Sequence, residues 1–173
     1  MVKNLVLVFF CLFVSPTVIA TEGLSYYRKL LIEAENNKYA AKLFLEKTEK
    51  LAASNDIIYT GFKAMANIMM CKHDINPITR IGYFNKGKNM LEYAISKEPD
   101  NIELIFYRYT VQVNVPSVLG YKGNLKDDKI KMINYIVSQK LISKKDVELY
   151  NNIKSYLLNS SYCTNEEKKL IQD

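Results

Sequence analysis

Between residues 100 and 114 the chain places Ile102, Leu104, Ile105, Phe106, Tyr107, Tyr109, Val111 and Val113 without leaving a continuous polar face. A helix apolar on every side has to be surrounded by other elements, so this stretch belongs at the centre and the rest of the chain must wrap it. Its β-branched residues would also suit a buried strand. The helical patterns on both sides, and a start signal in which Glu103 follows the cap residue Asp100 by three positions, favour the helix. Arg108 and Gln112, one turn apart inside it, are the anomaly. A buried guanidinium needs a carboxylate or carbonyl partner. If Glu103 or Asp128 supplies it, Arg108 locks the following loop onto the body. The alternative is a cleft in which Tyr107, Arg108 and Gln112 receive an anionic or peptidic ligand.

On either side of this centre the periodicity is helical. Over 24–51, Tyr27, Leu30, Leu31, Ala34, Leu43, Phe44 and Leu51 recur at spacings of three and four. The interruption Glu35-Asn36-Asn37 reads as a turn between two antiparallel helices, ahead of the alternative that it is the wet face of one long helix. Ala53-Ser54-Asn55-Asp56 offers a loop and a cap for a helix carrying Gly61, Ala64, Met65, Ile68 and Met69. The small residues Gly61 and Ala64 would let a neighbouring helix come close. Asn76-Pro77 starts a helix over 77–97, because Asn accepts from free amides and Pro is tolerated at the first helical position. Gly82 is a place where that helix could bend. A loop over 115–124 holds Pro116, Gly120 and Gly123 around Leu119 and Tyr121, whose apolar side chains predict that it folds back. Asn124 with Asp127, Ser143 with Asp146 (flanked by Ile142 and Val147), and Thr164 with Glu167 then mark three further helix starts. The last of these helices is short enough to fray.

Within the helix over 77–97, Gly87-x3-Leu91-x2-Ala94-x4-Pro99 resembles the second helix of a tetratricopeptide repeat, about half a repeat unit. The stretches 76–88, 98–103 and 116–121 are also similar to a family of exported bacterial proteins with tetratricopeptide-like (TPR-like) folds. That resemblance implies an all-α protein that works by binding other proteins. The sequence departs from the repeat in one respect: the small residue of the first helix should fall near Ile75, whereas Gly61 and Ala64 lie well before it. The hairpin is therefore longer than a repeat unit, and no second copy of the motif follows at the same period. The expected fold is all-α, a compact bundle of antiparallel, TPR-like helical hairpins with about seven helices, in place of a long superhelix.

The first twenty residues are expected to form a secretory signal peptide: Lys3 precedes an apolar run over 5–14, then Pro16 and a small residue, Ala20, after which cleavage is expected. The run is shorter than the roughly 20 residues a membrane span needs, so no transmembrane segment is expected after cleavage, and Cys11 reads as leader filler. The mature chain, 21–173, is then one domain, periplasmic or secreted. Its formal charge of +6, or +5 without Lys3, fits a solvated Lys-rich surface, since an exported protein rarely meets nucleic acid. Cys71 and Cys163 could bond in such a compartment; the other reading is a buried helix residue and a loop thiol.

Signals for chemistry are sparse. His73 is the single histidine, and Cys71 lies two positions away on a different helix face, so a helix-end histidine is expected and no metal. No nucleophile or phosphate-loop motif is present, and no cofactor is implied. Glu103 with Asp127 or Asp128 would be the pair for a carboxylate-based hydrolase. Thirteen tyrosines and no tryptophan raise a sugar platform, but Tyr27, Tyr83, Tyr135 and Tyr156 fall at helix-core spacing. The leading expectation is a non-enzymatic exported protein whose partner is another protein or peptide, ahead of a glycan or small-ligand binder and a hydrolase.

Overall fold

The computed structural model describes residues 23–51, 56–140 and 146–172. Eight α-helices and one 3-10 turn make up these residues: α1 (Leu24–Asn36), α2 (Lys38–Glu49), α3 (Ile58–His73), α4 (Pro77–Lys97), α5 (Ile102–Asn114), the turn Ser117–Leu119, α6 (Leu125–Lys140), α7 (Val147–Asn159) and α8 (Asn165–Gln172). The architecture is all-α, as the periodicity predicts. The expected leader and its cleavage site, Cys11, the Ala53-Ser54-Asn55 loop and the Ile142-Ser143 start signal lie outside the described residues.

Sequence-level caps account for most of the boundaries. Asn37 breaks the long pattern over 24–51, its side chain accepting from Tyr39 N and Ala40 N to start α2. Asn76 does the same for Ile78 and Thr79, with Pro77 in the first helical position. The helix that follows runs unbroken through Gly82 to Lys97. Asp56 accepts from Ile58 N at the start of α3. Thr164 and Glu167 form a reciprocal capping box at α8, Glu167 N to Thr164 Oγ1 at 3.2 Å and Thr164 N to Glu167 Oε2 at 2.8 Å. This helix does not end the chain loosely, because Ile171 is fully buried.

Three boundaries differ from the sequence reading. The cap of α5 is Asn101, not Asp100; Asn101 Oδ1 accepts from Glu103 N and Leu104 N, which frees the Glu103 side chain for the interior. The Asn124 side chain does not cap α6 but pairs with Gln112. Helix α7 starts at Val147 with Asp146 as its cap, bonded to Leu149 N at 3.0 Å.

The all-round apolar character of α5 has a direct cause, since it takes part in two cores. Leu104, Tyr107 and Val111, on one face, join the first core with α1, α2, α3 and α4 around Phe44, Phe62 and Leu91. Ile105 and Tyr109, on the other, join the second core with Met132, Ile136, Ile153, Leu157 and Ile171 of α6 to α8. Phe106 packs against both.

Helices α3 and α4 form a close antiparallel hairpin. A Cβ added at Gly87 would lie 2.8 Å from the Ala64 carbonyl oxygen and 2.9 Å from Ile68 Cδ1, so glycine sets the interhelical distance. At Gly61 the obstacle would be the Leu104 side chain of α5. Both small residues thus permit the approach expected of them, Gly61 to α5 and Ala64 to α4.

Backbone cannot yield as a rotamer can, so Gly87→Ala should lower unfolding stability by about 1–3 kcal/mol. Gly82→Ala, in the same helix with nothing near the new methyl, should raise it by roughly 0.5–1 kcal/mol. Urea unfolding of the two variants beside the parent checks the pair; equal effects would remove the close-packing explanation.

Candidate functional site

Two buried arginines on neighbouring elements organise the region around α5. Arg28 of α1 meets Glu103 side-on, with Nε to Oε1 and Nη2 to Oε2 both at 2.7 Å. The outer edge of the same guanidinium reaches α7: Nη2 to Asp146 Oδ2 is 2.6 Å, and Nη1 lies 3.2 Å from both Asp146 Oδ1 and Glu148 Oε2. Tyr107 Oη donates to Glu103 Oε1 at 2.6 Å. Arg28 and Glu103 are 6% and 5% exposed at their side chains, so this is an interior cluster joining α1, α5 and α7.

The second arginine is Arg108. It takes Asp128 of α6 in the same bidentate way, Nε to Oδ2 at 2.8 Å and Nη2 to Oδ1 at 2.7 Å, with Asp128 only 1% exposed. Nη1 donates to Glu92 of α4 at 3.0 Å, and the Tyr121 hydroxyl donates to the other oxygen of Glu92. One turn on, Gln112 and Asn124 exchange two hydrogen bonds of 3.2 Å. The structure therefore realises the internal-pair alternative for Arg108 and Gln112, with Asp128 rather than Glu103 as partner. Tyr121 also packs its ring edge-on against Phe84, 6.0 Å between centroids, which explains why the 115–124 loop returns to the body. Leu119, expected to return with Tyr121, is exposed at 40%, as is its neighbour Val118 at 89%.

Electrostatics follow from the geometry. The hydrogen bond that Arg28 donates to Glu103 raises the pKa of Arg28 against the opposing effect of burial. For Arg108 burial is the larger single influence, but Asp128 and Glu92 overcome it and the value again rises. Burial and the adjacent Glu103 push the Tyr107 hydroxyl well above the ordinary phenol range. Burial also pushes Tyr109 up to about 12.

A cleft of about 1030 Å³ opens beside the Arg28 cluster. Its floor is α5 at Glu103, Phe106, Tyr107 and Thr110; one side is Met65, Ile68 and Met69 of α3 with Ile81 and Phe84 of α4, and another is α7. Of the three residues expected to line a cleft, only Tyr107 does; Arg108 and Gln112 lie behind α5 against α6. Arg28 is the residue the sequence reading missed. It sits between Tyr27 and Leu30, both buried, and a charged residue on the apolar stripe of an amphipathic helix was the available signal.

Cys71 belongs to the first core's edge and Cys163 to the second core; both are free thiols, so the cross-link between them does not form. Burial pushes both thiols up, away from the reactive thiolate. His73 Nε2 lies 2.7 Å from the Ala34 carbonyl oxygen and ties the end of α3 to α1, a link to a neighbouring helix where its own helix end was expected. Among the described residues no grouping of His, Cys, Asp and Glu could hold a metal. Glu103 and Asp128 face different arginines, and Asp127 is exposed whereas Glu103 is buried, so neither aspartate makes a carboxylate pair with Glu103. Tyr27 is buried, and Tyr83, Tyr135 and Tyr156 pack partly buried against the two cores. Gly87, Leu91 and Ala94 are buried along α4, and Pro99 follows its end. Compared with family models, curated proteins and solved structures, the chain matches none of them significantly.

Removing one member of a buried pair leaves the other charge desolvated. Arg28→Met should therefore cost about 3–5 kcal/mol, and Arg108→Leu a similar amount. Adding Glu103→Gln to Arg28→Met should recover much of the loss, as a thermal or urea double-mutant cycle will show. A pH dependence follows from Asp146. Burial pushes its carboxyl up, but the hydrogen bonds from Arg28 and Leu149 N hold it below the ordinary 3.8. A folded-state value below the unfolded one gives stability that is complete above the unfolded value and is lost as pH falls through the folded one. Asp146→Asn should accordingly flatten the acid side of the stability–pH curve, measured by unfolding at a series of pH values.

Proposed function

We propose that this protein is an exported, non-enzymatic, TPR-like interaction protein of the cell envelope, and that the cleft on α5 receives a segment of a partner protein. The observation that carries the reading is the character of that cleft. It is larger than most drug-sized ligand pockets, and its α3 and α4 side carries Met65, Ile68, Met69, Ile81 and Phe84, with Lys72 and Arg80 among them. Methionine side chains repack at little cost and suit adaptable binding surfaces. The apolar lining continues onto the mouth, where Ile32, Ile81 and Leu119 are exposed. A small enclosed ligand would not use such a mouth; a polypeptide passing through it would.

The charged groups in the cleft support binding over catalysis. Glu103 is held by Arg28 and Tyr107, and Glu35 pairs with Lys72 at 3.6 Å. A general acid or base would need a carboxylate poised to exchange a proton with substrate, whereas these serve as counter-charges. The TPR-like reading draws on Gly87, Leu91, Ala94 and Pro99, with Gly87 packed onto α3. Export, to the periplasm or beyond, rests on the residues 1–20. No helix among the described residues is long and apolar enough to cross a membrane.

Site-specific photo-cross-linking in the native cells tests this reading. A cross-linking residue at Ile32 or Ile81 should capture a discrete protein partner, and one at Tyr39, exposed on α2, should not. Replacing the other mouth isoleucine by Glu should abolish capture while circular dichroism stays unchanged. Equal capture from Ile81 and Tyr39, or none from either mouth position, would refute it.

A further inference from the structure

We infer that the segment bound in the cleft is an extended polypeptide whose main chain is hydrogen-bonded by a ladder of uncharged side chains on α7. This rests on the reading of the cleft as a partner site and adds the conformation of the occupant. Asn152, Ser155 and Asn159 recur at spacings of three and four, and all three line the cleft, so one face of α7 presents amides and a hydroxyl to it. Asn152 and Ser155 make no side-chain hydrogen bond among the described residues. Asn159 donates through Nδ2 to the Ser155 carbonyl oxygen at 2.9 Å, which leaves its Oδ1 as an acceptor. The cleft therefore has a mainly apolar side on α3 and α4, edged by Lys72 and Arg80, and on α7 a row of neutral hydrogen-bonding side chains.

That division selects the occupant. A bound helix has satisfied its own backbone internally and would offer the ladder only side chains. An acyl chain would desolvate Asn152, Ser155 and Asn159 without pairing them. An extended chain carries unpaired N–H and C=O groups along its edge and sends alternate side chains to opposite faces. The rungs rise about 4.5 and 6.0 Å along α7 and the two-residue repeat of an extended chain is about 6.6 Å, so alternate peptide groups come within reach of successive rungs. Its apolar side chains then enter the Met65, Ile68 and Met69 side.

The test selects peptides from a phage-displayed random decamer library on the full mature chain and measures the best binder by fluorescence anisotropy. Asn152→Leu with Asn159→Leu should weaken binding about tenfold or more. N-methylation at alternate backbone positions of the peptide should do the same, with one register affected and the other spared. Circular dichroism of the variant should match the parent, since Asn152 is only half-buried and Asn159 exposed. Binding lost in Ile32→Glu with Ile81→Glu but indifferent to the asparagines and to N-methylation would overturn the extended mode and leave the cleft reading standing. Selection of no cleft-dependent peptide, with palmitate bound in its place, would overturn both.

Discussion

The structure depends on the ion pair between Arg28 and Glu103. It lies at the point where the helices of the first core and those of the second approach each other with α5 between them. Two charges taken out of water give up several kcal/mol of hydration each, and attraction repays this only with good geometry and further hydrogen bonds. Both conditions hold here. The contact is bidentate, Tyr107 satisfies the Glu103 oxygen from below, and Asp146 and Glu148 complete the guanidinium. Apolar residues of equal volume could be as stable, but they would not fix which face of α5 turns toward α1. The pair specifies one arrangement of α1, α5 and α7.

Arg108 repeats the device about one and a half turns further along α5 and on its other side. It fixes α6 through Asp128 and draws in α4 through Glu92. With Gln112 and Asn124 it sets the register between α5 and α6: the partners of 108 and 112 are 128 and 124, an antiparallel alignment. The two arginines thus hold α5 on opposite sides, and the cleft is what this bracing leaves open. Its floor is rigid because it belongs to both cores, and its mouth carries the exposed isoleucines.

How much of this was legible in the sequence can be argued residue by residue. The caps at Asn76 and Thr164 were readable because a cap is a local interaction within a few residues, whereas Asn37 was readable only as part of a turn. The burial of α5 was readable because no polar face was available to it. Arg108 could be recognised as needing a carboxylate, and Asp128 was one of two nominated. Arg28 was not foreseen, because on the helix surface one arginine resembles another until the fold brings Glu103 and Asp146, 75 and 118 positions away, into reach. Asn124 and Asp100 were misassigned as caps for a related reason. A cap signal is only a preference, and Asn101 beside Asp100, or Gln112 across the loop, competed for the same groups and won. A cleft could be suspected at Tyr107, but its walls could not be read, since it is made by five helices none of which signals a concavity alone.

The central claim is that α5 and its two arginines make one cooperative unit of the two cores. Native-state amide exchange of the protein tests it most directly, because it reads the opening of each helix separately. The slowest amides of α3, in the first core, and of α6, in the second, should exchange at the same opening free energy. In Arg28→Met, α7 and α8 should open well before the rest. If α6 to α8 open independently of α3 in the parent protein, or if Arg28→Met leaves α7 as protected as before, the two cores are separate and the account is wrong.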